Sequence, residues 1–174
     1  MEDFLDLLNQ VWTSGFLGIS MSEVLISLFI LIVSLIFRGV FANVGVNSLK
    51  KLTSRTETEL DDILLDSLKK PLGFIPITIG IYLITIFLPL SGLIDLIATN
   101  LVKALIVYTI FSALSNLVSP LFSILSNNTW LTTAMSVWLE RSSKVLVWVI
   151  GLAIILDIFG LSLIHISEPT RPSS

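Results

Sequence analysis

The chain has 174 residues, of which 54% are hydrophobic and 13% charged, with a formal net charge of −3 and a mean hydropathy of +0.95. A water-soluble domain carries roughly 25% charged residues, so this composition excludes an ordinary globular domain and makes lipid the expected solvent. The lack of cysteine excludes disulfides, thiolate metal sites and cysteine nucleophiles, and so small a net charge offers nothing to nucleic acid.

Residues 1–20 open with EDFLDLLNQVW, which puts Phe4, Leu5, Leu8, Val11 and Trp12 on one helical face and Glu2, Asp3, Asp6, Asn9 and Gln10 on the other. That pattern predicts a short amphipathic segment lying on the membrane surface. No cationic stretch precedes the first apolar run, so a cleavable signal is not expected.

Residues 21–44 form the first expected transmembrane helix, started by a capping box in which Ser20 is followed three residues later by Glu23. Arg38 lies near its far end, where its long stem can lift the guanidinium to the headgroups. Residues 45–70 read as a polar connector. Thr56 and Glu59 make a second capping box, Leu60, Ile63, Leu64 and Leu68 share a side, and Lys69 and Lys70 close the helix before Pro71. Asp61, Asp62 and Asp66 are close enough in sequence to hold a divalent cation, but a solvated helix face accounts for them better.

Residues 71–94 and 98–125 are the second and third expected membrane helices, with Pro76, Pro89 and Pro120 as local bends or ends. Lys103 reads as a snorkelling cation at the outer face. Residues 126–143 are a second connector in which Trp130, Leu131, Ala134, Val137 and Trp138 recur at helical spacing, as an interfacial anchor or as packing against a neighbour. Residues 144–160 form a fourth membrane helix, with Asp157 near its outer end. None of the apolar runs alternates in polarity, so helices rather than barrel strands are expected.

Orientation follows from the cations. Arg38, Lys50, Lys51, Arg55, Lys69 and Lys70 flank the first connector and Arg141 and Lys144 the second, against Lys103 alone on the opposite side. The positive-inside rule then places both connectors in the cytoplasm and the N-terminus outside. No catalytic, cofactor or metal constellation stands out, and an enzyme is not expected.

After Gly160 the sequence changes character. Leu161 to Arg171, LSLIHISEPTR, resembles a translated transposase-type sequencing adapter read in one frame. Residues 161–174 are therefore expected to be non-native, His165 to carry no functional weight, and the natural protein to be longer.

Two segments carry a family resemblance. SRTETELDDILLDSLKKPLGFIPITIGIYL, with Thr56, Thr58, Leu60, Asp61 and Asp62, resembles the cytoplasmic connector of the small-conductance mechanosensitive channel family. RSSKVLVWVIGLAIILDIFG, with Gly151, Leu156, Asp157 and Gly160, is similar to the helix that precedes that family's pore segment. The resemblance covers roughly residues 45–160 and implies an all-α paddle of about four transmembrane helices with short interfacial ones. The family's Gly/Ala-rich pore helix and cytoplasmic β-domain have no counterpart here. It further implies membrane lipids as partners, contacted by Arg38, Lys50, Lys51, Lys69, Lys70, Trp130, Trp138, Arg141 and Lys144. A homo-oligomer in the full-length protein (a heptamer in the family), a bacterial inner-membrane location and opening under stretch in osmotic downshock are implied as well. A secondary-transporter fragment, with polar broken helices, and a small non-transporting scaffold are the competing readings.

Overall fold

The computed structural model describes residues 19–53, 59–128 and 132–161, and every regular element among them is an α-helix. In chain order these are α1 (Met21–Thr53), α2 (Glu59–Ser67), α3 (Lys69–Leu72), α4 (Phe74–Phe87), α5 (Leu93–Asn128) and α6 (Thr133–Ile158). The N-terminal amphipathic segment and most of the C-terminal tail lie outside the described residues.

The expected capping box forms at the start of α1. The Ser20 N–H donates to Glu23 Oε2 at 2.8 Å, and the Glu23 N–H donates back to Ser20 Oγ at 3.4 Å. The helix then runs on to Thr53, beyond the expected end at residue 44. Its last turns are held by packing: Val46 is buried, a Cβ at Gly45 would sit 3.4 Å from Leu72, and Lys50 pairs with Asp66 of α2 at 3.2 Å. The first connector thus folds back on the end of α1.

Two prolines divide the next stretch. Pro71 and Pro76 have no N–H and crowd the carbonyls four residues back, which belong to Ser67 and Leu72. These are the last residues of α2 and α3. Gly73 keeps a helical φ of −66° between α3 and α4, so the direction of the chain is preserved. Pro89 ends the run. Leu88 before it is extended, at φ −77° and ψ 134°, as the residue ahead of a proline prefers. The second expected membrane helix, 71–94, therefore stops at Phe87, and α5 begins at Leu93 instead of residue 98. Gly92 makes that start possible with φ +61°.

Met21–Lys51, Lys69–Phe87 and Leu93–Leu125 are long and apolar enough to cross a membrane. Helix α6, with 26 residues, is long enough, but Glu140, Arg141, Lys144 and Asp157 interrupt its apolar character. Among the described residues, three helices are long and apolar enough to cross a membrane, against the four expected. Its start at Thr133, capped by Thr132 accepting from the Met135 N–H at 3.4 Å, also lies well before residue 144. Most of the expected second connector, residues 126–128 and 133–143, is helix.

The long helices form an open row. Among the described residues, α1 packs on α4, α4 on α5 and α5 on α6, while α1 touches neither α5 nor α6. The buried apolar side chains are small: Ala42, Val46, Val102, Ala104 and Val118. Serines 27, 34, 112, 115 and 136 are buried beside them, whereas Phe29, Ile36, Leu93 and Trp138 are at least two-thirds exposed. That distribution inverts the rule for proteins in water and matches helices that approach through small residues in hydrocarbon. The tightest approach is Gly80 of α4 against Ser34 of α1: a Cβ there would collide with the Ser34 hydroxyl, which is bonded back to Ile30 O at 2.8 Å.

A Gly80→Leu substitution should therefore force α1 and α4 apart and cost about 1–3 kcal/mol, the usual penalty of overpacking. Gly39, whose added Cβ would meet nothing within 4 Å, should tolerate alanine with a gain of about 0.5–1 kcal/mol from helix propensity. Thermal unfolding of both variants in detergent checks the contrast.

Candidate functional site: an interhelical seam and a polar clamp

One line of side chains connects all four long helices. Arg38 of α1 places its guanidinium carbon 5.0 Å from the centre of the Phe74 ring at the start of α4. Phe74 meets Tyr108 of α5 edge-on, with centroids 5.1 Å apart and planes at 87°. Tyr108 in turn lies 5.5 Å from Trp148 of α6. Such ring pairs contribute about 0.5–1.5 kcal/mol each beyond their buried area, and the cation over the ring about 0.5–1 kcal/mol at an exposed site. Glycine at position 73 leaves room for this line, because a Cβ there would come within 3.1 Å of Arg38 Cγ and press the arginine stem aside. The expectation that Arg38 reaches for lipid headgroups thus acquires a second component, since its stem is also a strut against the α3–α4 junction.

The contact between α5 and α6 is completed by a polar clamp. Ser119 Oγ donates to Glu140 Oε1 at 2.7 Å and accepts from Lys144 Nζ at 2.5 Å, while Lys144 also donates to Glu140 Oε1 at 2.8 Å. The hydrogen bond from the Lys144 ammonium, and then that from the Ser119 hydroxyl, hold the Glu140 carboxyl below its ordinary range. Next to Ser119, Pro120 cannot donate to the Asn116 carbonyl, and the Asn116 amide donates to Ser112 O at 2.7 Å. Gly151 supplies the close approach farther along α6, where a Cβ would stand 2.8 Å from the Phe111 ring.

The residues expected to touch lipid fall into several groups. Lys69, Lys70, Trp138 and Arg141 are exposed, with Trp138 at 76%, as an interfacial role requires. Lys50 is engaged by Asp66, an exposed pair of the kind that contributes about 0–1 kcal/mol, and Lys51 also has an interaction. Lys144 belongs to the clamp. Trp130, Thr56 and Thr58 lie outside the described residues, and Leu60, Asp61 and Asp62 fall on α2. Asp66, one of the three carboxylates considered for a cation, is thus committed to Lys50. Leu156, Asp157 and Gly160 form a helix terminator. Gly160 takes φ +75°, its N–H bonds to Asp157 O, and the Leu161 N–H bonds to Leu156 O, both at 2.9 Å, which is a Schellman cap.

Sequence reading missed the seam and the clamp. Glu140 and Lys144 one turn apart were a visible signal, but their serine partner lies 21 residues from Glu140. No protein-family model matches the chain, and neither the curated proteins nor the solved structures contain a significant match to it.

Because folding lowers the Glu140 carboxyl, its contribution is present above the unfolded carboxylate range and is lost as pH falls through the lowered folded value. Spin labels on α5 and α6 should report a fixed separation at neutral pH and a broadened one in acid. Glu140→Gln should give the broadened distribution at every pH.

Proposed function

We propose that this chain is the tension-sensing membrane region of a mechanosensitive ion channel of a bacterial inner membrane, one protomer's part of a homo-oligomer. Its pore would be lined by sequence that follows Gly160 in the natural protein. The observation that carries the reading is the open row of helices joined through small residues, with their bulky apolar side chains turned outward. A row one helix thick exposes more surface to lipid than a closed bundle of the same helices, so bilayer forces reach every helix directly. The family resemblance of residues 45–160 gives those forces a consequence.

The mechanism is a population shift in which the bilayer acts as the ligand. Tension favours the conformation with the larger in-plane area. Helix α6 leans on α5 alone among the described residues, through the clamp, the Tyr108–Trp148 pair and the Gly151 approach. It therefore has one neighbour against which to change its angle, and on this reading it is also the fourth crossing, leading from the cytoplasmic side outward to the pore helix. The cations Lys69, Lys70 and Arg141 and the ring of Trp138 hold the helix ends at the inner leaflet. Helix α5 runs unbroken past Pro120, unlike the interrupted helices that build transporter sites, which favours the channel over the transporter.

Two experiments test the reading. Since the chain has no cysteine of its own, Asp61→Cys offers a single label site; an impermeant maleimide should reach it in inverted vesicles and not in intact cells. Labelling from outside overturns the orientation. The open reading frame of the source locus, expressed through and beyond residue 160, should give stretch-activated currents in patch recordings. Encoded residues past Gly160 that form no Gly/Ala-rich helix, or patches silent up to lytic tension, overturn the channel assignment.

A further inference from the structure

Helices α4 and α5 do not close against each other along their whole length. Between them lies a groove of about 590 Å³ whose walls are almost entirely apolar. Toward the starts of α4 and the middle of α5 it is lined by Ile75, Ile79, Ile106 and Ile110; toward the α4–α5 loop it is lined by Thr99 and Lys103. The threonines deeper in the groove add little polarity, because the Thr78 and Thr109 hydroxyls donate to Phe74 O at 3.0 Å and Leu105 O at 2.7 Å.

Lys103 is the exception that needs a partner. It stands ten residues into α5, about 15 Å along the axis, inside the apolar span Leu93–Leu125. No ion pair involves it among the described residues, and it is exposed. Its long stem lets the ammonium snorkel toward the headgroup layer on the side of the α4–α5 loop, the level at which a lipid phosphate sits. Thr99, four residues earlier, lies on the same helical face and adds a hydroxyl beside the ammonium.

We propose that this groove is a binding site for one anionic membrane phospholipid, whose phosphate sits at Lys103 and Thr99 and whose acyl chain lies along the four isoleucines. The match is one of gradient as well as charge. From Lys103 to Ile110 on α5, and from Thr85 to Ile75 on α4, the lining passes from an end that carries the groove's cation to one dominated by isoleucine, where Thr78 and Thr109 spend their hydroxyls on their own helices. The helix from Ile75 to Thr85 is about 15 Å long, which suits an extended acyl segment and not a compact solute. The headgroup end faces the α4–α5 loop, so the lipid belongs to the leaflet on that side. The inference rests on the chain's membrane character and is independent of whether the assembly conducts.

The test uses the full chain purified in detergent after reconstitution with equimolar phosphatidylglycerol and phosphatidylcholine, followed by native mass spectrometry. One phosphatidylglycerol per chain should survive gentle activation. Lys103→Arg should keep it, and Lys103→Gln should lose at least about fivefold in retention, the factor expected for one cation near an anionic lipid surface. Ile106→Trp, which fills the aliphatic end, should exclude the lipid with the charge left in place. Helical content by circular dichroism serves as the folding control. Should Lys103→Gln not fold, the decision falls to Ile106→Trp and the headgroup preference of the unmodified protein. Equal retention of the two lipids by the unmodified chain, or unchanged retention in both variants, overturns the proposal in favour of a generic annular lipid. A change from oligomer to monomer in Ile106→Trp would do so in favour of a second copy in the groove. None of these outcomes depends on channel currents, so the site can fail while the channel reading stands, and the reverse.

Discussion

Bulky apolar side chains gain nothing by turning inward when the surrounding solvent is itself hydrocarbon. That constraint governs the whole molecule. With no hydrophobic force to draw the helices together, they meet where the backbone can come closest, at Gly80 against Ser34 and at Gly151 against Phe111. The buried residues described are accordingly alanine, valine, serine, glycine and proline, while leucine, isoleucine and phenylalanine cover the outside. The same logic accounts for α1, which carries a mean hydropathy of 2.6 over its apolar window with only 6% of that window buried. In water such a helix would aggregate; in lipid it is at rest.

What van der Waals packing leaves undecided, directional contacts settle. Arg38, Phe74, Tyr108 and Trp148 stitch the four long helices at one level, and Ser119, Glu140 and Lys144 set the rotation of α6 on α5. Both devices involve residues that are costly to expose to hydrocarbon, so each partner satisfies a need of the other. The row is consequently firm within each pair of neighbours and open between helices that are not neighbours. On the proposed reading, small rotations at a seam would change the outline of the row.

Local signals in the sequence were largely readable. The Ser20–Glu23 capping box forms as expected, because its geometry involves only four consecutive residues. Pro89 ends a helix, and the charged connector folds as short helices between the apolar ones. The boundaries were less accessible. Helix α1 continues to Thr53, held where Gly45 approaches Leu72 of α3 and Lys50 pairs with Asp66 of α2, contacts that are not local in sequence. Pro71 and Pro76 each end a helix at the carbonyl four residues back without turning the chain, since Gly73 stays helical between them. The Leu156 to Gly160 pattern had no stated structural meaning until its terminal hydrogen bonds identified it as a cap.

Composition and periodicity alone determined that this chain is helical and apolar enough for lipid to be its solvent, because each of those properties is a sum over neighbouring residues. Only the tertiary structure decided which helices touch, that Arg38 braces Phe74 instead of merely reaching for water, that Ser119 joins Glu140 and Lys144, and that Lys103 opens onto a greasy groove. Those facts depend on pairings between residues far apart in the chain, and a pairing is decided by three-dimensional approach, which no local pattern encodes.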